Sequence, residues 1–398
     1  MSLLFLAHRV PFPPDRGDKI RSFHILQYLA QRTPVHLIAF ADDAADLDPP
    51  AVFTERLASC TVVPRTKSQM RAAAEALGTG KPVSLAAFAS PAMRAAVDKV
   101  LPEVSGIYCF SGQMAQYLPF GGPPFVMDFV DVDSAKFAGF AEDMHGPMRW
   151  MMRREARLLG AFERKVAAHA SASLFVSEME AALFRAGGAA GRVLALENGI
   201  DSVRFDPALQ YAPRDTMFPN AGGERDDVPL IVFTGQMDYR PNIDAVTWFV
   251  RRILPLLHQR HPAHFAIVGR APTAAVLALA GDDVTVTGAV DDVRGWLASA
   301  AVCVAPLKLA RGIQNKVLEA MAMARPVVAS VAAAEGIDHG DTIRVADTAQ
   351  DFADRIATLI ESPDAAALIG HAARAHVIRR YGWDARLAPL DALLGLAP

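Results

Sequence analysis

Short apolar runs alternate with longer amphipathic stretches from one end of the chain to the other. In the first half, strands are expected at residues 2–7, 35–40, 61–63, 106–109, 125–130 and 173–176. Alanine-, leucine- and arginine-rich segments with helical spacing separate several of them, notably 20–31 and 151–170. The second half restarts the pattern, with strands at 230–234, 264–269, 284–287, 302–306 and 326–330 and helices at 243–260, 293–300 and 315–324. Apolar strands without strict alternation, divided by helices, suit a parallel sheet covered on both faces. Two such sheets in series predict an α/β chain of two Rossmann-like, doubly wound domains.

Residues 210–227 hold Pro213, Pro219, Asn220, Gly222 and Gly223 among charges and show no periodicity, as an exposed loop near a domain boundary would. The boundary itself is placed at Asn198-Gly199, where a strand-like run at 193–196 ends in a turn. This divides the chain into domains of residues 1–198 and 199–380. Near the C-terminus, Leu387, Leu390 and Leu394 recur at helical spacing around Pro389, which predicts a kinked terminal helix that must dock on an apolar surface.

Composition narrows the classes. The chain has 398 residues, 52% of them hydrophobic and 21% charged, enough to build two cores and to exclude disorder as the dominant state. Forty basic against forty-three acidic side chains leave a net charge of −3, so no global field draws it to nucleic acid. Three dispersed cysteines exclude a disulfide framework and a cysteine zinc site, and they suit a reducing cytosol. The apolar run at 2–7 is too short for a signal-peptide core, and no stretch approaches the ~20 residues of a spanning helix. A soluble, cytoplasmic protein is expected, with contact to the inner face of a membrane left open.

Several motifs carry little chemistry. Gly78-Thr79-Gly80-Lys81 lacks the first glycine and the hydroxyl of a phosphate loop, and no Gly-x-Gly-x-x-Gly follows a predicted strand. Asp131-Val132-Asp133 reads as a loop after a strand with no dedicated metal, and the eleven histidines show no ligand spacing.

Other segments are more informative because ligands of open parallel sheets bind beyond the carboxyl ends of strands. After the first strand, Pro11 to Lys19 forms a stiff loop in which Gly17 permits close backbone approach and Asp18 either meets a ligand or caps the next helix. Asp128, Asp131 and Asp133 cluster where the 125–130 strand ends. They serve either hydroxyl recognition and stabilisation of developing positive charge, or helix capping around a buried Asp128. From Arg149 to Lys165 there are six basic and two acidic residues beside Met148 and Trp150, a pattern for an anionic membrane surface or for a solvated helix face.

The second domain is sharper. Gly235 follows a strand, and Arg240-Pro241-Asn242 opens a helix that Asn242 is expected to cap. Val290 lies where backbone groups could pair with a nucleobase edge. Lys308, Arg311, Gly312, Ile313 and Gln314 lead to a helix N-terminus, a seat for a diphosphate. Lys316 and Glu319 then share a helix face, either as a surface ion pair or as a phosphate-facing cation with a carboxylate for vicinal ribose hydroxyls.

These residues resemble the glycosyltransferases of the GT-B fold, specifically family 4. The likeness rests on the loop after the first strand, Asn198-Gly199-Ile200-Asp201, Gly235-x-Met-Asp-x-x-Pro-Asn242, and Gly312-x-x-x-Lys316-x-x-Glu319-Ala-Met with the following Pro326-Val-Val. Arg16-Gly-Asp-Lys-Ile-Arg-Ser and Asp131-Val-Asp-Ser further resemble the branch found with exosortase/PEP-CTERM exopolysaccharide systems.

The resemblance implies two domains facing across a cleft, with the final helix, about 381–398, crossing back to the first. A nucleotide-diphosphate sugar would be the donor substrate, without cofactor or bound metal, and a glycan or lipid-linked molecule the acceptor, transferred with retention. It places Glu319 on the ribose, Gly312 to Gln314 on sugar and phosphates, and Asp131, Lys316 and Glu319 among the catalytic residues. Gly17, Asp18, Asp128 and Asp133 would lie on the acceptor side, and Gly235, Arg240, Asn242, Val290, Lys308 and Arg311 on the donor side. Many members carry a carboxylate where this chain has Arg311, and an Arg and a Lys near Gly235, where this chain has neither before Arg240. Lys308, Arg311 or Lys316 would then supply the missing charge. A sugar-nucleotide epimerase and a non-catalytic sugar-nucleotide scaffold remain the alternatives.

Overall fold

The computed structural model describes residues 2–14, 16–211, 228–310 and 313–396, with Asp143 described by its backbone alone. The chain divides into two compact units, Met1–Asn198 with Arg386–Pro398, and Gly199–Ala385.

In the first unit seven strands form one sheet: β1 (Leu3–Ala7), β2 (Val35–Ala41), β3 (Ser59–Pro64), β4 (Gly106–Phe110), β5 (Phe125–Val130), β6 (Ala172–Phe175) and β7 (Val193–Ala195). Their order is β3-β2-β1-β4-β5-β6-β7, and every pairing is parallel. β1 reads Leu-Leu-Phe-Leu-Ala and is buried throughout, because helices cover both faces and no strand face is left to water. The helices used below are α1 (Gly17–Ala30), α2 (Asp133–Asp143) and α3 (Gly146–Ala167).

The second unit repeats the plan with β8 (Leu230–Thr234), β9 (His264–Val268), β10 (Val284–Gly288), β11 (Val302–Ala305), β12 (Val327–Ser330) and β13 (Arg344–Ala346). Their order is β10-β9-β8-β11-β12-β13, again all parallel. The strand order reverses between β8 and β11, which makes the carboxyl end of β8 the switch point where such sheets take ligands. Three helices bear on that end: α4 (Arg240–Trp248), α5 (Val293–Ser299) and α6 (Asn315–Ala322).

The structure departs from the sequence pattern in places. The helix expected over 243–260 is interrupted by a π-helical turn at Phe249–Ile253, followed by Pro255, which has no amide hydrogen to give the ladder. β13 was too short and too mixed in character to stand out. The terminal helix is two pieces, Trp383–Leu387 and Pro389–Leu394, broken at Pro389. The chain returns to the first unit at Arg386 rather than at about 381, because Tyr381 and Trp383 pack with the start of the second unit. The Ile200 amide donates to the Tyr381 carbonyl at 2.7 Å, and a Cβ on Gly199 would fall 2.7 Å from the Trp383 backbone. Past that point, the Tyr28 hydroxyl donates to Asp391 at 2.9 Å.

Candidate functional site

A cavity of about 440 Å³ opens at the carboxyl ends of β8, β9 and β10, beside the first turns of α6. Its lining includes Gly235 after β8, Arg270 after β9, Val290 after β10, and Lys316 and Glu319 on α6. Two long-range steric facts hold the loops together. Gly269 has φ +154°, and a Cβ there would lie 1.6 Å from the Gly235 carbonyl oxygen, so only glycine lets the β8 and β9 loops cross. Gly235 has φ +158°, and a Cβ on it would meet Asn242 Nδ2 at 2.8 Å and Lys316 Nζ at 3.1 Å.

Lys316 does not bond to Glu319. Its ammonium donates to Asn242 Oδ1 at 2.7 Å and stands 4.0 Å from the centre of the Phe233 ring. Asn242 Nδ2 in turn donates to the Gln236 carbonyl at 2.9 Å. Burial pushes the Lys316 ammonium down to about 7, with Glu319 opposing. Burial likewise pushes the Glu319 carboxyl up to about 7, with Lys316 and Arg204 opposing. Among the described residues the Glu319 carboxylate has no hydrogen-bond partner, so it stands in the cavity wall with its acceptor capacity unspent. A cation and a carboxylate one turn apart, both shifted toward neutrality by burial and both on the cavity wall, make this the candidate site.

Other expected donor residues fall differently. Val290 lines the cavity, and Asp292 caps α5 by accepting from the Arg294 amide at 2.9 Å. Asn242 is no cap: α4 starts at Arg240 with Tyr239 as its N-cap, and the Asn242 side chain is spent on Lys316 and Gln236. Arg240 is held by Asp244 on its own helix at 2.9 Å, 82% exposed, and Lys308 is exposed over the Trp248 ring at 5.5 Å. Neither lines the cavity. Ile313 and Gln314 are half-buried just before α6, and Arg311 and Gly312 lie outside the described residues.

The second cation in the cavity is Arg270, which the motifs did not indicate. It donates to Gln236 Oε1 at 3.1 Å. A Gly-Arg pair at the end of the 264–268 strand was the available signal.

In the first unit, Asp128 is a correction to the acceptor assignment. It is fully buried, receives two bonds from Arg21 at 2.9 and 3.2 Å and one from the Tyr108 hydroxyl at 2.7 Å, and has no face left for a ligand. Asp131 and Asp133 both face Lys136, at 2.7 and 3.3 Å. Burial raises the Asp133 carboxyl despite Lys136. Asp18 does not cap α1. Burial works against its charge, yet the hydrogen bond from His8 and the charge of Arg9 prevail and hold it at about 2. A Cβ on Gly17 would meet nothing within 4 Å among the described residues, so no atom of theirs requires glycine there. Among the described residues no three acidic, histidine or cysteine side chains gather as a metal site, and no helix is long and apolar enough to cross a membrane.

Known proteins share this architecture. Residues 228–362 match the family model described as glycosyl transferases, group 1. Anabaena HepE in complex with UDP superposes with a TM-score of 0.59 at 18% identity, over 99% of this chain and 100% of that one. The fold is the GT-B fold. Two further GT-B structures agree. Sucrose-phosphate synthase from Thermosynechococcus elongatus has a TM-score of 0.57 and 18% identity over 99% and 98% of the two chains. The UDP-forming α,α-trehalose-phosphate synthase from Burkholderia vietnamiensis has a TM-score of 0.58 and 14% identity over 98% and 99%. No curated protein matches the sequence. The group 1 match covers the whole cavity-bearing sheet, from β8 to β13.

Proposed function

We propose that this chain transfers a sugar from a nucleotide-diphosphate donor to a glycan or lipid-linked acceptor, with retention, as a family 4 enzyme of exopolysaccharide or other cell-surface polysaccharide synthesis. The observation that carries the reading is one cavity wall bearing Lys316, Arg270 and a Glu319 with no hydrogen-bond partner among the described residues, at a sheet switch point. The group 1 match over that sheet supports it, as do neighbouring structures solved with UDP and with UDP-glucose.

In this reading the loop at Val290 meets the base and Glu319 accepts from the ribose hydroxyls. Lys316 and Arg270 neutralise the diphosphate, on which negative charge grows as the glycosidic bond to it breaks. Because these cations answer that charge, the reading invokes neither cofactor nor bound metal. Asp131 is assigned to the positive charge developing on the sugar, and Gly17, Asp18 and Asp133 to the acceptor side. The protein would work in the cytoplasm at the inner face of the membrane, with the exposed Met148 and Trp150 at the start of α3 as contacts.

The test is incubation with a panel of nucleotide sugars and membrane extract. A glycosylated product is expected; an isomerised donor with no product would instead indicate an epimerase. Glu319→Ala should weaken donor binding at least about tenfold, the loss of one charge-assisted hydrogen bond. If that variant binds and turns over donor like the parent, the assignment falls.

A further inference from the structure

The first unit has a groove of its own. A cavity of about 570 Å³ runs between α2 and α3, bordered by Leu183 and Phe184. Arg153, Arg157 and Arg164 line it. At 100° per residue these positions fall within roughly 40° of one another and span about 16 Å along α3. Small residues make the room: Ala135 and Ala138 on α2 face Ala156 and Gly160 on α3. A Cβ on Gly160 would stand 3.3 Å from an Arg164 guanidinium nitrogen and from the Ser134 side chain, so larger residues there would crowd Arg164 out of its position.

The helix's own acids make no hydrogen bond or ion pair with these arginines among the described residues, although Glu163 acts on Arg164 through its charge. Glu155 is buried and accepts from the Val83 and Ser84 amides at 2.7 and 2.8 Å. Glu163 is buried and accepts from the Ser134 amide at 3.2 Å. Two other basic residues of α3 are occupied elsewhere: Arg154 donates to the carbonyls of Lys81 and Ala76 at 3.1 and 2.7 Å, and Lys165 lies over Phe120, while Arg149 does not line the groove. Arg153, Arg157 and Arg164 have no hydrogen-bond or ion-pair partner among the described residues, and Glu142 is the one acid on the groove's wall.

Three guanidinium groups on one stripe repel each other until an anion joins them, and guanidinium forks match phosphate oxygens two at a time. We infer that this groove is a binding site for a diphosphate ester, separate from the donor cavity of the second unit. Its purpose, holding a phosphate-bearing acceptor, rests on the transferase reading; its existence as an anion site does not. Leu183 on the rim supplies apolar surface beside the charges, which suits a diphosphate carried on a hydrocarbon chain.

The experiment is calorimetric titration of inorganic pyrophosphate into the full chain carrying Lys316→Ala and Arg270→Ala, so that binding reports the groove alone. Arg157→Gln with Arg164→Gln should weaken it at least tenfold. Arg251→Gln with Arg252→Gln, a pair in the second unit outside the groove, should leave it unchanged. Equal affinity with and without the groove arginines would overturn the site, and so would equal loss in the control pair.

Flotation with phosphatidylcholine vesicles doped with a polyprenyl diphosphate distinguishes the sources. Retention that depends on Arg157 and Arg164 assigns a lipid-linked ligand, whereas pyrophosphate binding without retention assigns a soluble diphosphate ester. Pyrophosphate binding that is absent, or indifferent to Arg157 and Arg164, while Glu319→Ala still weakens donor binding refutes the groove alone. The reverse pattern refutes the transferase reading and leaves the anion site standing.

Discussion

Lys316 and Asn242 are 74 residues apart in the chain and joined by a 2.7 Å hydrogen bond in the wall of the candidate donor cavity. The bond explains why a buried lysine one turn from a glutamate is not paired with it. Asn242 fixes the ammonium over Phe233, and Glu319 keeps its oxygens for something else.

Asn242→Ala should therefore act through Lys316. Removing the acceptor leaves a buried ammonium with one bond fewer, at a cost of about 1–3 kcal/mol. Urea denaturation should register that loss, and donor affinity should fall as Lys316 gains rotamer freedom. Asn242→Asp should fold well but bind donor more weakly still, because its carboxylate competes with the diphosphate for the same cation. Unchanged affinity in both variants would mean that Asn242 does not position Lys316.

The glycines offer a graded set. Gly269→Ala places a methyl 1.6 Å from the Gly235 oxygen at a positive φ, which backbone movement alone can relieve. A loss of at least about 3 kcal/mol is expected, the upper end of overpacking costs. Gly235→Ala presses on Asn242 and Lys316 instead, and should impair binding more than stability. Gly17→Ala meets open space and should leave Tm unchanged. Thermal melts with and without nucleotide diphosphate separate the three.

Titration of Lys316 should be visible in binding. With its ammonium lowered to about 7, most molecules carry a neutral amine at pH 8. A diphosphate favours the charged form and raises that value, so binding at pH 8 takes up a proton. Affinity should then fall as pH rises above 7, by up to about tenfold per unit. Calorimetry in buffers of different ionisation enthalpy counts the proton. Lys316→Ala should abolish both the uptake and the slope, and a slope that survives would assign it to another group.

Asp128 and Arg21 test a structural role against a ligand role. Their pair is buried at 1% and 0% side-chain exposure, with the Arg21 guanidinium also donating to Asn198 Oδ1 at 2.9 Å. Asp128→Asn strands a buried cation, at a cost of about 3–5 kcal/mol. Chemical denaturation should show the loss. Donor affinity of the folded fraction should be unaffected, and a selective loss of acceptor turnover at normal stability would restore Asp128 to the acceptor site.

Much of this was legible in the amino-acid order. Runs such as Leu230–Thr234 are apolar without alternation because both faces of a parallel strand are covered, so every strand of the two sheets except the short β13 could be read from the apolar pattern. Gly235, Val290, Lys316 and Glu319 were accessible because they sit directly after strands or share a helix face, both local properties. The tertiary structure decided the rest. Arg270 joins the cavity only because β9 lies next to β8, and Arg21 reaches Asp128 across 107 residues because α1 packs on a sheet whose strand order periodicity does not report. Likewise the acids of α3 turn inward to amides of other segments, leaving Arg153, Arg157 and Arg164 without a hydrogen-bond or ion-pair partner among the described residues. Period and composition say which face of an element is buried. Which partner it is buried against is set by the order of strands in the sheet, and there the charges found their roles.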